Sequence, residues 1–228
     1  MKLLIWDFDG TLGYRDGGDW AASLLEVLLR AAPDGDVALD DVRRFTRFGF
    51  PWQVPDRPHL HLSKADAWWA ALEEHFCRAY EGLGFPASQA REFAHEVRPT
   101  YLAPKRWRLY EDVLPTLDAL TAEGWTHAML TNHVPEFREI AAELGLMPVF
   151  AHICNSAEMG YEKPHPQAFA QVLAAFPEAS PRWMIGDNYH ADVQGARAVG
   201  IPAILVRRFH PDAAYFAETL REVPAIVG

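Results

Sequence analysis

The chain has little cysteine: Cys77 and Cys154 are the two among 228 residues. Two cysteines cannot form the disulfide framework of a secreted scaffold, so a reducing, intracellular compartment is expected, with both thiols in the core. Positive charge is also short. Lys and Arg number 21 against 31 Asp and Glu, a formal net charge of -10. The chain therefore lacks the basic footprint of a non-specific nucleic-acid binder, and acidic membrane surfaces are disfavoured. Long apolar runs are missing too, because Asp7 and Asp9 interrupt the N-terminal stretch before a signal peptide or membrane span is complete. These absences predict a cytoplasmic protein without nucleic-acid or membrane partners. What the chain does have is 50% hydrophobic residues, enough for one large domain or a core domain with a smaller insert.

The first apolar run, Leu3, Leu4, Ile5 and Trp6, breaks into Asp7, Phe8, Asp9, Gly10 and Thr11. A run without polar alternation reads as a strand covered on both faces. Strand geometry would place Asp7 and Asp9 on one side of the backbone, roughly 6 to 7 Å apart, which suits a shared cation or substrate atom. Taken alone, the same residues fit two solvated acids in a turn equally well. Further on, Trp20, Ala21, Leu24, Leu25, Leu28 and Leu29 recur at helical spacing and predict a helix from Asp19 to Ala31, ended by the segment Pro33 to Asp36. A second helix is expected near Leu39, then a loop over Phe48 to Pro58, where three prolines exclude a regular helix. Ser63 and Ser88 are expected to cap two more helices, the first bearing Trp68, Trp69, Leu72, Phe76 and Tyr80, the second Phe93 and Val97. Residues 14 to about 100 thus read as all-helical.

From Leu109 the pattern becomes an alternation of helix and strand: a helix through Val113, Leu117 and Leu120 closed by Gly124, a strand from Thr126 to Leu130, and a helix from Pro135 to Leu144. A short strand near His152 to Cys154 follows, then a loop with Gly160 and Lys163, and a helix through Phe169, Val172 and Leu173. The strand of Trp183, Met184 and Ile185 breaks at Gly186 and Asp187. A helix holding Asp192, Val193, Ala196 and Val199 and a last strand over Ala203 to Val206 complete the alternation. This implies an α/β fold with a doubly wound, Rossmann-like parallel sheet, whose right-handed crossovers bring all strand C-termini to one edge. Asp7, Asp9, Thr131 and Asp187 all follow apolar runs within two residues, so they converge there. Carboxylates crowded in a cleft need a cation to stay ionised, and all-oxygen ligands favour Mg²⁺. Thr131, the amides near Asn132 and Lys163 would hold an anion. Together they point to phosphate, with one Asp attacking phosphorus and its partner moving protons.

The segments Asp7 Phe8 Asp9 Gly10 Thr11 Leu12, Thr131 Asn132, Tyr161 Glu162 Lys163 Pro164, and Gly186 Asp187 with Asp192 resemble, in order, the four motifs of the haloacid dehalogenase (HAD) superfamily. The resemblance implies that Asp7 is nucleophile and metal ligand, and that Asp9 is general acid and base, touching metal through its backbone carbonyl. It implies Thr131 and Asn132 on the phosphoryl oxygens, Lys163 balancing charge, Asp187 on Mg²⁺, and Asp192 on the metal's waters or on Lys163. It further implies a catalytic core over residues 1–13 and 101–228 with a helical type-1 cap inserted at 14–100. The stretch from Asn132 to Lys163 is too short for a second cap. After Leu12 the chain runs Gly13 Tyr14 Arg15, where many relatives have an apolar residue and then Asp or Ser.

Asp9 argues against a dehalogenase, since carbon–halogen cleavage needs no acid there. The expected activity is Mg²⁺-dependent hydrolysis of a small phosphorylated metabolite through an aspartyl phosphate. The alternatives are a phosphomutase, a phosphonate hydrolase using Lys64, and a non-catalytic binding protein. The expected cap holds one locally basic segment, Arg43, Arg44, Arg47, Arg57 and Lys64 with His59 and His61, against Asp56. It reads either as a lip for an anionic substrate or as a solvated surface. The aromatic stripe of Trp68, Trp69, Phe76 and Tyr80 reads as core. His133 is placed either near the cleft or in the packing.

Overall fold

A computed structural model of the chain describes residues 1–33 and 35–228; Asp34, inside the segment expected to end the first helix, lies outside the described residues. In chain order the elements are β1 (Lys2–Trp6), β2 (Gly13–Arg15), α1 (Trp20–Ala31), α2 (Leu39–Thr46), α3 (Ala65–Gly82), α4 (Ala87–Leu102), β3 (Trp107–Leu109), α5 (Val113–Ala122), β4 (Trp125–Thr131), α6 (Phe137–Glu143) and β5 (Phe150–Asn155). They continue as α7 (Ser156–Met159), α8 (Pro166–Ala175), β6 (Arg182–Gly186), a π turn (Tyr189–Gln194) running into α9 (Gly195–Ala198), β7 (Ala203–Val206), β8 (Phe216–Ala217) and α10 (Val223–Val227).

Among the described residues, six parallel strands form one sheet in the order β5-β4-β1-β6-β7-β8. β1 is central, with Trp6 opposite Met129 of β4 on one side and Ile185 of β6 on the other. The chain order reverses at β1, so its C-terminal end opens at the switch point of the sheet, where open α/β folds leave a crevice. The two-residue period of β1 sorts its side chains between two cores. Leu4 and Trp6 join one that continues through the inserted helices, whereas Leu3 and Ile5 join the other with Phe169, Val172 and Met184.

The local chemistry accounts for most element ends. Asp19 caps α1 by accepting from the Ala22 amide, and Pro166 opens α8 where its missing N–H costs nothing. Several expectations fail for identifiable reasons. Ser63 does not cap α3, because its hydroxyl donates 2.8 Å to the Leu60 carbonyl and closes the preceding 3₁₀ turn; Lys64 takes the cap position. Ser88 lies inside α4, which starts at Ala87 after Pro86. Pro135 precedes α6 rather than opening it, since Phe137 N–H first closes a turn on Val134 O. The helix expected around Asp192 is widened into a π turn, nucleated by the Asn188 side chain accepting from the amides of His190 and Ala191. Tyr14 and Arg15 are not helical: β2 pairs antiparallel with β3, so a two-stranded ribbon joins the helical insert to the sheet. Cys154 is buried, as expected, while Cys77 is half-exposed. Among the described residues, no helix is long and apolar enough to cross a membrane.

Candidate active site

β1 delivers Asp7 to the crevice: its amide still bonds to Ile185 O of β6 at 2.9 Å, so the backbone is held while the buried side chain leaves the sheet edge. β1 ends at Trp6, and the turn that follows places Asp9 outside strand geometry, with 46% of its side chain exposed in the same cavity. β4 delivers Thr131 and Asn132, β6 delivers Gly186 and Asp187, and the π turn delivers Asp192. Gly186 is required by close approach, because a Cβ there would collide with the Asp192 carboxylate.

Lys163 ties the elements together. Its ammonium donates 2.7 Å to Asp7 Oδ1 and 2.7 Å to Asp192 Oδ1, all three groups being buried. Burial opposes the charge on Lys163, but Asp192 and Asp7 outweigh it and raise its pKa above the ordinary range. Thr11 Oγ1 donates 3.2 Å to Asp7 Oδ2, and the Asn188 amide donates 3.0 Å to Asp192 Oδ2. The side chain of Asn132 grips the main chain of Lys163 with Nδ2 on its carbonyl at 3.0 Å and Oδ1 on its amide at 2.8 Å. The Thr131 hydroxyl is buried without a hydrogen-bond partner.

The acids are crowded. Asp7, Asp187 and Asp192 each place a carboxylate oxygen within 4.8 Å of the others. Burial, then repulsion from Asp7, lifts Asp187 to about 6 against the pull of Arg208 and Lys163. Asp9 faces the cavity with 46% of its side chain exposed, yet it sits deep enough that desolvation, then Asp7 and Asp187, lifts it to about 8 against the pull of Lys163. Such a set resists full ionisation, and three carboxylates on one side of a cavity are the hard-oxygen donors a divalent cation such as Mg²⁺ takes. Each acid also has a protein partner: Asp7 has Lys163 and Thr11, Asp192 has Lys163 and the Asn188 amide, and Asp187 has Arg208.

Every core residue expected from sequence comes to this place. Asp7, Asp9, Asn132, Lys163, Asp187 and Asp192 line one cavity of about 590 Å³, with Thr131 buried next to Asn132. The basic segment does not: none of Arg43, Arg44, Arg47, Arg57, His59, His61 and Lys64 lines it. Arg43 pairs with Asp19 and Asp40, Arg44 with Asp41, and Arg47 lies over the Phe48 ring. The insert instead contributes Trp20, Phe48, Trp52, Gln53 and Pro55, and the end of α4 contributes Tyr101, which sequence analysis had not singled out for this role. Trp68, Trp69, Phe76 and Tyr80 are buried, as a core stripe should be. His133 is both packed and cavity-lining: its Nδ1 accepts from the Val134 amide at 2.9 Å, so its proton sits on Nε2, 3.5 Å from Asp9 Oδ2. Burial holds its pKa down to about 3, so the ring is neutral.

Comparison with known proteins agrees with this arrangement. Residues 1–200 match the family model described as haloacid dehalogenase-like hydrolase. The chain is 31% identical to the phosphoserine phosphatase of Thermus thermophilus over 91% of its own length and 89% of the relative's. It is also 31% identical to the glyceraldehyde 3-phosphate phosphatase of Methanopyrus kandleri, over 50% of this chain and 48% of that one. Among solved structures, the magnesium-bound HAD-hydrolase YfnB of Bacillus subtilis superposes over 100% of this chain and 98% of that chain with a TM-score of 0.72 at 19% identity. With the motif residues gathered at one crevice and nearly the whole chain matched, the protein belongs to the haloacid dehalogenase-like hydrolases and is an enzyme acting on phosphate esters.

Proposed function

We propose that the protein is a Mg²⁺-dependent phosphatase that hydrolyses a small phosphate monoester through an aspartyl phosphate on Asp7. The observation that carries this reading is geometric: Asp7, bonded to the Lys163 ammonium at 2.7 Å, shares one cavity with Asp9 two residues on, Asn132 and Asp187. Asp7 lies beside a cation for attack, while burial and the neighbouring acids raise Asp9 and favour its carrying a proton for transfer, the separation of roles that acid–base catalysis needs. An Asp7 oxygen attacks phosphorus, the ester P–O bond breaks, and the Asp9 proton goes to the leaving alkoxide. Asp9, now a carboxylate, takes a proton from water as the water oxygen attacks phosphorus and the Asp7–phosphorus bond breaks, releasing phosphate.

Thr131, with its unpartnered hydroxyl, is the donor available to a phosphoryl oxygen. Lys163 offsets the charge of Asp7 and phosphate, and Asn132 acts through it by fixing its main chain. The Nε2 of neutral His133 lies 3.5 Å from Asp9 Oδ2 without a hydrogen-bond partner, close enough to bond that carboxyl after a small shift. Asp7 and Asp187 would hold Mg²⁺ with Asp192 behind them, and the ion would supply positive charge against the phosphoryl oxygens. The helical insert, residues 14–100, acts as the cap, a role supported by its aromatic side chains on the cavity wall. A cytoplasmic setting is supported by the two free cysteines.

Mg²⁺-dependent phosphate release from a broad panel of monoesters tests the proposal. Activity should vanish on chelation, and Asp7→Asn should lower it by at least about 10⁴-fold, as loss of a nucleophile does. Full turnover by the Asp7→Asn protein would refute the mechanism.

A further inference from the structure

The cavity has two chemically unlike ends. Its charged end holds the acids and Lys163, which among the described residues is the one lysine or arginine lining it. Arg208 stands close by, but its Nε is on Asp187 Oδ2 at 3.3 Å, at the same end. The rest of the wall is largely aromatic, and its Tyr101 ring centroid reaches to 6.4 Å from that of His133, beside Asp9. Trp20 lies flat on Tyr101, the ring centroids 3.9 Å apart and the planes 2° from parallel. Trp52 is stacked on Phe50 at 4.6 Å and runs within 24° of the Trp20 plane. Phe48, 70% exposed, extends this wall.

Gln53, the amide that the insert places there, is already committed. Gln53 Oε1 accepts from the Phe50 amide at 3.1 Å and its Nε2 donates to the Arg47 carbonyl at 2.7 Å. On the core side, His190 Nδ1 is 2.8 Å from Gln194 Oε1. A leaving group bearing a carboxylate or second phosphate would meet flat apolar rings, with no lining cation beyond Lys163 and with Asp9 nearby. Desolvating such an anion without a partner is strongly unfavourable. A flat uncharged group meets ring faces, which stack well on it.

Resting on the phosphatase reading of this site, we infer that the substrate is a phosphate monoester whose alcohol is uncharged and carries a planar or aromatic group, stacked on the wall formed by Trp20, Trp52, Phe48 and Tyr101. Trp52 and Phe48 are then specificity-determining residues, and the basic side chains of Arg43, Arg44, Arg47, Arg57 and Lys64 around them are not.

Benzyl phosphate and O-phosphoserine are suitable probes, because both leave as alkyl alcohols and differ mainly in the charge and shape of the group. With the full-length protein in saturating Mg²⁺, kcat/KM for benzyl phosphate should exceed that for O-phosphoserine by about tenfold or more. Trp52→Ala and Phe48→Ala should erode that ratio through KM, with kcat nearly unchanged. Trp52→Phe should restore most of it, and circular dichroism should match wild type throughout. Phe48→Ala keeps the test decisive if Trp52→Ala fails to fold. Preference for O-phosphoserine, or an unchanged ratio in Phe48→Ala and in a folded Trp52→Ala, overturns the inference and leaves the phosphatase reading standing. Turnover of neither probe, nor of any monoester in a wider panel, overturns both.

Discussion

Lys163 carries more of the site than any other single residue, because one ammonium neutralises two buried carboxylates from different elements. Removing it would leave both acids buried without their partner. Asp7, Asp9 and Asp187 were legible in the sequence, since each follows an apolar run and so announces a strand end, whereas Lys163 was read from its loop and Asp192 from its motif. Buried histidines were not. His127, inside β4, accepts from Trp6 Nε1 at 3.0 Å on Nδ1, so its Nε2–H faces Thr121 Oγ1 at 3.0 Å, whose hydroxyl donates 2.8 Å to Leu117 O. Its main partner is 121 residues away, beyond any local pattern. Burial pushes this imidazole down to about 4 from an ordinary 6.5. Between those values the unfolded chain takes up a proton that the folded chain refuses, so this stabilisation is full above pH 6.5 and is lost as pH falls toward 4. Relative to His127→Gln, the wild-type protein should lose about 2 kcal/mol between pH 7 and pH 4.5, read from urea midpoints at the two pH values. A pH-independent difference would show that His127 titrates normally.

Two contacts, among others, fasten elements of the insert to the core. The His59 amide donates 2.6 Å to the Gly160 carbonyl, and Gly160, at φ +73°, sits so close to Leu60 that a Cβ would come within 2.9 Å of its backbone. At the other place Glu136, just before α6, accepts 2.9 Å from Trp69 Nε1 of α3 and 2.5 Å from Arg98 Nη2 of α4. The Glu136 side chain is 11% exposed, so this latch is shielded from water. Glu136→Ala would strand an indole N–H and a guanidinium at the junction. Loss of about 1 to 3 kcal/mol is expected, seen as a lower Tm, with Glu136→Gln milder because it still accepts. At this scale the sequence spoke clearly about the helices, whose apolar stripes are long, and poorly about their ends. Ser63 and Ser88 looked like caps, yet a neighbouring turn or a proline took the position. The β2–β3 ribbon escaped notice because three-residue strands carry too little alternation to read.

For the molecule as a whole, stability and catalysis are in tension, since the fold brings Asp7, Asp187 and Asp192 within 4.8 Å of one another and keeps them dry. A bound cation relieves that repulsion. Mg²⁺ at about one hundred times its dissociation constant should add about 2.7 kcal/mol and raise Tm by several degrees at constant ionic strength, an effect that Asp187→Asn should abolish. An equal rise in the variant would place the binding elsewhere. The amino-acid sequence by itself determined the alternation of apolar strands and amphipathic helices, hence the parallel sheet, the edge at which Asp7, Asp9, Thr131 and Asp187 meet, and the class of chemistry done there. These follow from local periodicity and from the fixed hand of crossovers, which one chain carries in full. Only the tertiary structure decided what faces those acids. The charge pattern singled out the basic residues between Arg43 and Lys64, but Arg43 and Arg44 are paired with acids, none of the basic side chains lines the cavity, and Trp20, Phe48, Trp52 and Tyr101 line it instead. Composition can signal that a segment is basic or aromatic; the face it shows to a cavity is set by contacts between residues far apart in the chain.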